Sequence, residues 1–322
     1  MTHVVRRAGE ADFAAVSPGT GYWTALGEGT PAAVHTEFGL CEMASGAGIP
    51  ARTQSFEEGF FILSGEAVLQ TPGAAHLLRP GDYGLIPVGL PHSWRNAGAA
   101  SARWARMLAP QPRSRYGRDT VAVPDLPRTE PAPLDVRDPR TRDFGHFEPA
   151  HMDAGKQSQE LLAVSASMRT ALLVYSGITV KMMLDADLGA RLSTMFMVQY
   201  APDGVAGPHD HPFEETYFFL EGRAEGIFDG ERYELEPGDI AFAGVGCVHG
   251  FRNLGRGPLR WLETQAPQPP SRHSYRFARD WEHLRNQASS NSAGAAAQDR
   301  PTRSGARADS RTQSPGQARS TE

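Results

Sequence analysis

A chain of 322 residues, 40% of them hydrophobic, has the length and apolar content for about two domains of roughly 150 residues each. A net charge of −5 argues against a polyanion such as nucleic acid as partner, and Cys41 and Cys247, without CxxC spacing, exclude a disulfide framework or a structural zinc site and suit a reducing cytosol. The N-terminus has no signal-like apolar run, and the most apolar segment, 171–184, is too short and too interrupted to span a bilayer, so the chain reads as soluble, cytoplasmic and not membrane-bound.

In chain order, short β-like runs separated by turn residues come first. Gly59–Gly65 is an apolar strand ending at glycine, and Ala67–Gln70, Pro72-Gly73 and His76–Leu78 read as a hairpin, followed by a Pro80-Gly81-Asp82 turn. Proline is dense from 117 to 160, which suits an extended linker. Strands resume later: Thr216–Gly222, then a hairpin turning on Asp229-Gly230, then Pro237-Gly238-Asp239. From 288 to 322 the chain is Ala, Ser, Gly, Arg and Gln without an aromatic, a composition expected to be disordered. Many short strands without alternating helices predict an all-β fold of sandwich or barrel type.

A shift of 157 residues carries Glu58, Gly65, Gly81, Gly89, His92 and Asn96 onto Glu215, Gly222, Gly238, Gly246, His249 and Asn253 without a gap. A repeat of this period is a duplicated domain rather than a solenoid unit. The expected layout is a first domain at 1–116, a linker at 117–160, a second domain at 161–287 and a tail at 288–322.

Only the second copy keeps a full set of metal-ligand types. His209 and His211, two apart on a strand, share a face; Glu215 lies four further on at an even offset, and His249 follows one hairpin later. Imidazoles and a carboxylate gathered in this way form an open set of N and O donors with room for water, oxygen or substrate. Glu214 is the rival carboxylate, disfavoured by parity and by the Glu58 register. Copy one has Arg52 and Gln54 in place of the histidine pair, beside Glu58 and His92, which reads as a degenerate site where a cation replaces the metal and pairs with Glu58. Cys247 reads as a small buried residue. Phe213, Phe219, Met195, Met197 and Phe251 are candidates to finish the pocket, and Arg272, His273 and Tyr275 are polar enough to touch a ligand.

These motifs resemble the cupin superfamily, and the two-copy layout resembles a bicupin. Residues 209–222 fit the first cupin motif from HxH onward, with Asp203 in place of its leading glycine, and 238–253 fit the second with Gly244 in its proline slot. The resemblance implies two tandem cupin barrels of jelly-roll type. It also implies one divalent ion (Fe, Mn, Ni or Co) on His209, His211, Glu215 and His249, with Glu215 able to take a substrate proton, and a small-molecule substrate. Homodimers are common for such barrels. The ligand set resembles that of quercetinase-like dioxygenases, which act on enol- or phenol-type substrates. Alternatives are a Mn-dependent aminohydrolase or isomerase resembling (S)-ureidoglycine aminohydrolase, with which only His211 agrees, and a non-enzymatic small-molecule binder.

Overall fold

The computed structural model describes residues 2–138, 141, 143–153, 175–269 and 276–277. The segment 288–322, expected to be disordered, and Arg272, His273 and Tyr275 lie outside this set. The described chain is almost wholly β, in two barrels that correspond to the two copies.

In the first barrel, Gly48–Gln54, His92–Arg95, Ala67–Thr71 and Ala74–Leu78 are neighbours in one sheet. Asp82–Ile86, Glu57–Ser64, Ala102–Ala109, Glu37–Met43 and Thr20–Leu26 form the opposite sheet. The stretch read as a linker adds small strands to both: Thr120–Ala122 pairs with Gly48–Gln54, and Phe144–His146 with Asp82–Ile86. The second barrel repeats the order through Ile240–Ala243, Glu214–Glu221, Leu259–Ala266, Thr194–Asp210, His249–Asn253, Ala224–Phe228 and Glu231–Leu235. Its outer neighbour is the strand His3–Arg6, which crosses from the start of the chain to pair with Ile240–Ala243.

Turn chemistry follows the residues. Asp229 and Gly230 both take positive φ (49° and 88°), the backbone of a tight hairpin turn with matching twist. Gly222 needs to be glycine on two counts: φ is 81°, and a Cβ there would lie 2.6 Å from the Pro258 carbonyl oxygen. Asp203 also stands in the left-handed region, at φ 63°, where copy one has Gly46 at 76°. Asp tolerates this backbone better than most residues, so the missing motif glycine leaves the bend intact.

Strand pleating then sorts side chains between two cores. In Glu57–Ser64, Phe60 and Ile62 face the first barrel's interior with Tyr22, Cys41, Trp94 and Trp104. Phe61 faces outward, into a core between the barrels that also holds Phe38, Leu40, Met107, Met195, Met197, Phe218 and Leu262. Met195 and Met197, expected in the second pocket, are therefore on the wrong side of their strand to reach it. Tyr217, Phe219, Phe251 and Trp261 fill the second barrel. With both faces covered, these strands read as unbroken apolar runs instead of an alternation.

A reciprocal clasp ties the barrels together. Glu214 Oε1 accepts from the Val34 and His35 amides at 2.6 and 3.0 Å, and its Oε2 from the Thr36 amide at 3.0 Å. Glu57, its counterpart in copy one, accepts from the Arg191 and Leu192 amides at 2.7 and 2.9 Å, the positions equivalent to Val34 and His35. Each carboxylate thus satisfies part-buried amides of the other barrel, a charge-assisted arrangement that costs most when the acceptor is removed. Glu214→Ala should lower the unfolding free energy by about 3 kcal/mol, and Glu214→Gln by less. Guanidinium denaturation of the two variants against wild type measures this.

Candidate metal centre

The second barrel brings together the four predicted residues. His209 is the penultimate residue of the long strand Thr194–Asp210 and sits directly opposite His249, which opens His249–Asn253. His211 follows just past the strand end, and Glu215 is the second residue of Glu214–Glu221. A ligand atom from each of His209, His211 and His249 lies within 4.8 Å of the others. Glu215 Oε2 is 2.7 Å from His211 Nε2 and 3.3 Å from His249 Nε2. All four residues are buried. Glu215 points inward and Glu214 into the clasp, as strand parity requires.

The ring orientations are set by backbone carbonyls. Nδ1 of His209, His211 and His249 lies 2.8, 2.8 and 3.0 Å from the carbonyl oxygens of Gly207, Phe213 and Cys247. A neutral imidazole that donates through Nδ1 carries its lone pair on Nε2. Nε2 of His211 and of His249 therefore meets a carboxylate oxygen lone pair to lone pair, inside the protein. Such a convergence is stable only with a proton or a cation at its centre. The donor set, three imidazoles and one carboxylate with fixed tautomers, fits a divalent ion.

Electrostatics of the surround favour the same assignment. Burial pushes the Glu215 carboxyl up, but positive charge and hydrogen bonding from the His211 and His249 side, the role a cation would take between them, outweigh it and hold it well below the ordinary carboxylate range. Burial, reinforced by His249, depresses His209 to about 3, so its imidazole is neutral at physiological pH. Glu215 Oε1 accepts from Gln265 Nε2 at 2.6 Å, and Gln265 is itself held by Thr194 Oγ1 at 3.0 Å. The Tyr217 hydroxyl donates to Glu215 Oε2. Burial and the Glu215 charge raise Glu263 far above the carboxylate range, leaving a neutral acid beside the centre, with Trp261 Nε1 donating to it at 2.9 Å.

Tyr217, Gln265 and Glu263 lie outside the motifs. The repeat carries a signal for them: copy one has Phe60, Leu108 and Arg106 at those positions, all on inward faces. Phe213 stacks on the His211 ring at 4.1 Å and 5°, as a pocket residue should. Cys247 is buried, its thiol pushed up to about 12 mainly by burial; its contribution to the centre is the carbonyl that orients His249. Its Sγ belongs to a different group, with His3 and Asp229.

Copy one has taken another route. Glu58 accepts from Arg106 Nε and Nη2, both at 2.8 Å, and from Gln54 Nε2 at 3.1 Å. The cation paired with Glu58 is thus Arg106 from the neighbouring strand; Arg52, expected in that role, makes no ion pair among the described residues. Arg106 is the position of Glu263, so one barrel has a cation and the other an acid pushed toward its neutral form beside the equivalent carboxylate. Among the described residues, the Arg52, Gln54, Glu58 and His92 set is not one of the groups able to hold a metal.

Two outcomes follow. Tyr217→Phe and Gln265→Leu should each weaken metal binding by about 10–100-fold, the usual cost of losing an outer partner, read by competition with a chelating dye. In chelator-treated protein, unfolded His209 gains a proton below about pH 6.5 while the folded residue stays neutral down to about 3. Stability is therefore whole above the unfolded value and is lost as pH falls, by about 2 kcal/mol from this residue at pH 5. Urea melts at pH 7 and 5 check it, and an unchanged midpoint contradicts it.

Comparison with known proteins agrees with the architecture. The cupin domain family model matches twice, at residues 39–108 and 196–264, once per barrel. Quercetin 2,3-dioxygenase of Bacillus subtilis (strain 168) is 26% identical over 215 residues, covering 61% of this chain and 62% of that protein. The match thus spans somewhat under two thirds of that relative's length. Among solved structures, Lactobacillus farciminis oxalate decarboxylase in its formate complex superposes with a TM-score of 0.57 at 16% identity, over 86% of this chain and 89% of that one. Salicylate 1,2-dioxygenase from Pseudaminobacter salicylatoxidans gives a TM-score of 0.55 at 14% identity, over 73% and 72%. At these identities the structural likenesses speak for the fold. With a cupin match in each half, two barrels and the paired motifs, the chain belongs to the cupin superfamily and is a bicupin.

Proposed function

We propose that this bicupin is a metal-dependent dioxygenase acting on a small enol- or phenol-type substrate. One divalent ion, Fe, Mn, Ni or Co, would be held by His209, His211, Glu215 and His249. The observation that carries the reading is the buried convergence of Glu215 Oε2 on two imidazole Nε2 atoms, with a third imidazole beside them. The similarity to quercetin 2,3-dioxygenase supports it. When bound, such an ion supplies Lewis acidity toward an acidic substrate oxygen and a redox route to dioxygen.

The chain's own residues do the positioning and the proton work. Carbonyls of Gly207, Phe213 and Cys247 keep the three Nε2 faces turned inward. Gln265 anchors Glu215 Oε1, which fixes in place the carboxylate that would take the substrate proton, with Oε2 turned to the imidazoles. Tyr217, donating to that same oxygen, tempers its basicity and can follow the proton. Phe213 against His211, and the Tyr217, Phe228 and Phe251 rings, give an apolar wall that suits a flat aromatic or enolic substrate and keeps bulk water out. Among the described residues no helix is long and apolar enough to cross a membrane. Free, buried Cys41 and Cys247 support a reducing, cytoplasmic setting.

The test is elemental analysis of purified protein followed by oxygen uptake with quercetin, acetylacetone and catechol. About one metal per chain and uptake with one of these is expected. His211→Ala and His249→Ala should lose both with the fold intact by circular dichroism, and His92→Ala should lose neither. No uptake, with ammonia released from ureidoglycine, would move the protein to the hydrolytic class, and tight ligand binding without turnover to the non-enzymatic one. Metal retained by the double variant His211→Ala/His249→Ala would refute the site.

A further inference from the structure

We propose that the first barrel is a second binding site, for a small monocarboxylate seated on Arg52. Nothing in the proposed reaction uses the interior of this barrel, yet it carries polar atoms that a closed apolar core would not retain. Arg52 Nε and Nη2 are buried without a hydrogen-bond partner. So are Tyr22 Oη, Trp94 Nε1, Trp104 Nε1, His92 Nε2 and Gln54 Oε1. Buried polar groups in folded proteins are almost always satisfied, so a concentration of exceptions marks a place where something else supplies the partners.

Strand geometry puts these groups on one interior. His92 is the direct cross-strand partner of Arg52. Gln54 and Trp94 follow Arg52 and His92 at an even offset, which keeps them on the same face. Cys41 lies opposite both Tyr22 and Trp104 in the adjoining sheet. Trp94 and Trp104 stack at 4.9 Å, bridging the two sheets across the barrel.

Charge and donor chemistry define the occupant. Glu58 is fully engaged by Arg106 and Gln54, and the Tyr22 ring lies 4.6 Å from the Arg106 guanidinium carbon. Arg106 and Glu58 cancel; Arg52, a half-buried residue whose Nε and Nη2 are buried, is left as an uncompensated cation with no ion pair among the described residues. A buried charge of this kind calls for a counter-ion. The planar guanidinium fork with two adjacent unpaired N–H groups matches the two oxygens of a carboxylate. Unpartnered donors (Arg52, Tyr22, Trp94, Trp104) outnumber unpartnered acceptors (Gln54 Oε1, His92 Nε2), so the ligand is rich in acceptor oxygens. His92 Nδ1 is committed to the Leu90 carbonyl at 3.0 Å, which leaves Nε2 to accept from a hydroxyl. A 2-hydroxy acid therefore fits better than a plain carboxylic acid. Copy one thus has the chemistry of an anion site in the positions where copy two has its histidine pair.

The experiment is isothermal titration of metal-loaded protein with acetate and with glycolate, alongside thermal melts. Wild type should bind both, glycolate several-fold tighter. Arg52→Met should weaken both at least tenfold, while His92→Phe should remove only the glycolate advantage. His249→Ala, which empties the metal centre, should leave acetate binding unchanged. In acetate-free buffer Arg52→Met should melt higher than wild type, because it deletes an unpaired buried charge, and acetate should raise the melting temperature of wild type alone. Absence of binding to wild type would overturn the proposal. So would full affinity in Arg52→Met, loss of acetate binding in His249→Ala, or a lower melting temperature for Arg52→Met without acetate.

Discussion

Two adjacent glutamates on one pleated strand hold this structure together. Glu214 and Glu215 are consecutive, so the backbone sends one carboxylate outward and the other inward. The outward one satisfies amides of the opposite barrel, and the inward one closes the set of imidazoles. Glu57 and Glu58 repeat the division in copy one. The clasp and the site are therefore not independent: a register slip of one residue in Glu214–Glu221 would place the clasp carboxylate in the pocket and remove the metal-facing one to the interface. The inter-barrel core pins that register, since Phe218 must meet Phe38 at 6.0 Å while Tyr217 and Phe219 stay inside.

An inward carboxylate at this position needs a cation, and the two barrels meet the need differently. Copy one supplies Arg106 from the adjacent strand, which takes both Glu58 oxygens; burial alone would raise Glu58, and the arginine brings it down to about 2. Copy two has Glu263 at the equivalent position, where a carboxylic acid offers no compensating charge, and surrounds Glu215 with imidazole nitrogens. With Glu263 in the place of Arg106, no guanidinium takes both Glu215 oxygens, an arrangement compatible with the proposed metal. Had copy two kept the arginine, its guanidinium would occupy both carboxylate oxygens, and no ion could share them.

How much of this is legible in the sequence divides along a physical line. The duplication, the barrels, the Asp229-Gly230 hairpin and the choice of Glu215 over Glu214 all follow from local rules: fixed register, turn dihedrals, strand parity. Contacts made across strands do not. Arg106 lies forty-eight residues from Glu58 with nothing local to mark the pairing, whereas Arg52 is conspicuous by its motif position and draws the wrong assignment. Met195 and Met197 sit on a strand buried on both faces, where hydrophobicity says nothing about which side they occupy. The crossing of His3–Arg6 into the second barrel is a long-range pairing with no local signature in either strand. Tyr217, Gln265 and Glu263 stand between these cases: the repeat register marks them as inward positions that differ between the copies, and only the cross-strand geometry shows what they touch.

The two interiors, so different in residues, come to the same charge. In the first, Glu37 is neutralised by Arg118, and Arg52 and Arg106 against Glu58 leave one positive charge. In the second, burial favours the neutral form of Glu263; with that acid neutral, a divalent ion against Glu215 would also leave one positive charge. A buried chamber with a single excess positive charge is a receptor for a monoanion, because desolvating that anion is offset by the charge already fixed there. On the proposals above, the enolate of the second barrel and the carboxylate of the first would each bring its chamber to neutrality. What separates the chambers is the origin of the anion. An arginine fork, with its full charge always present, suits holding an anion that arrives already formed. A metal flanked by a carboxylate that can accept a proton suits generating the anion in place.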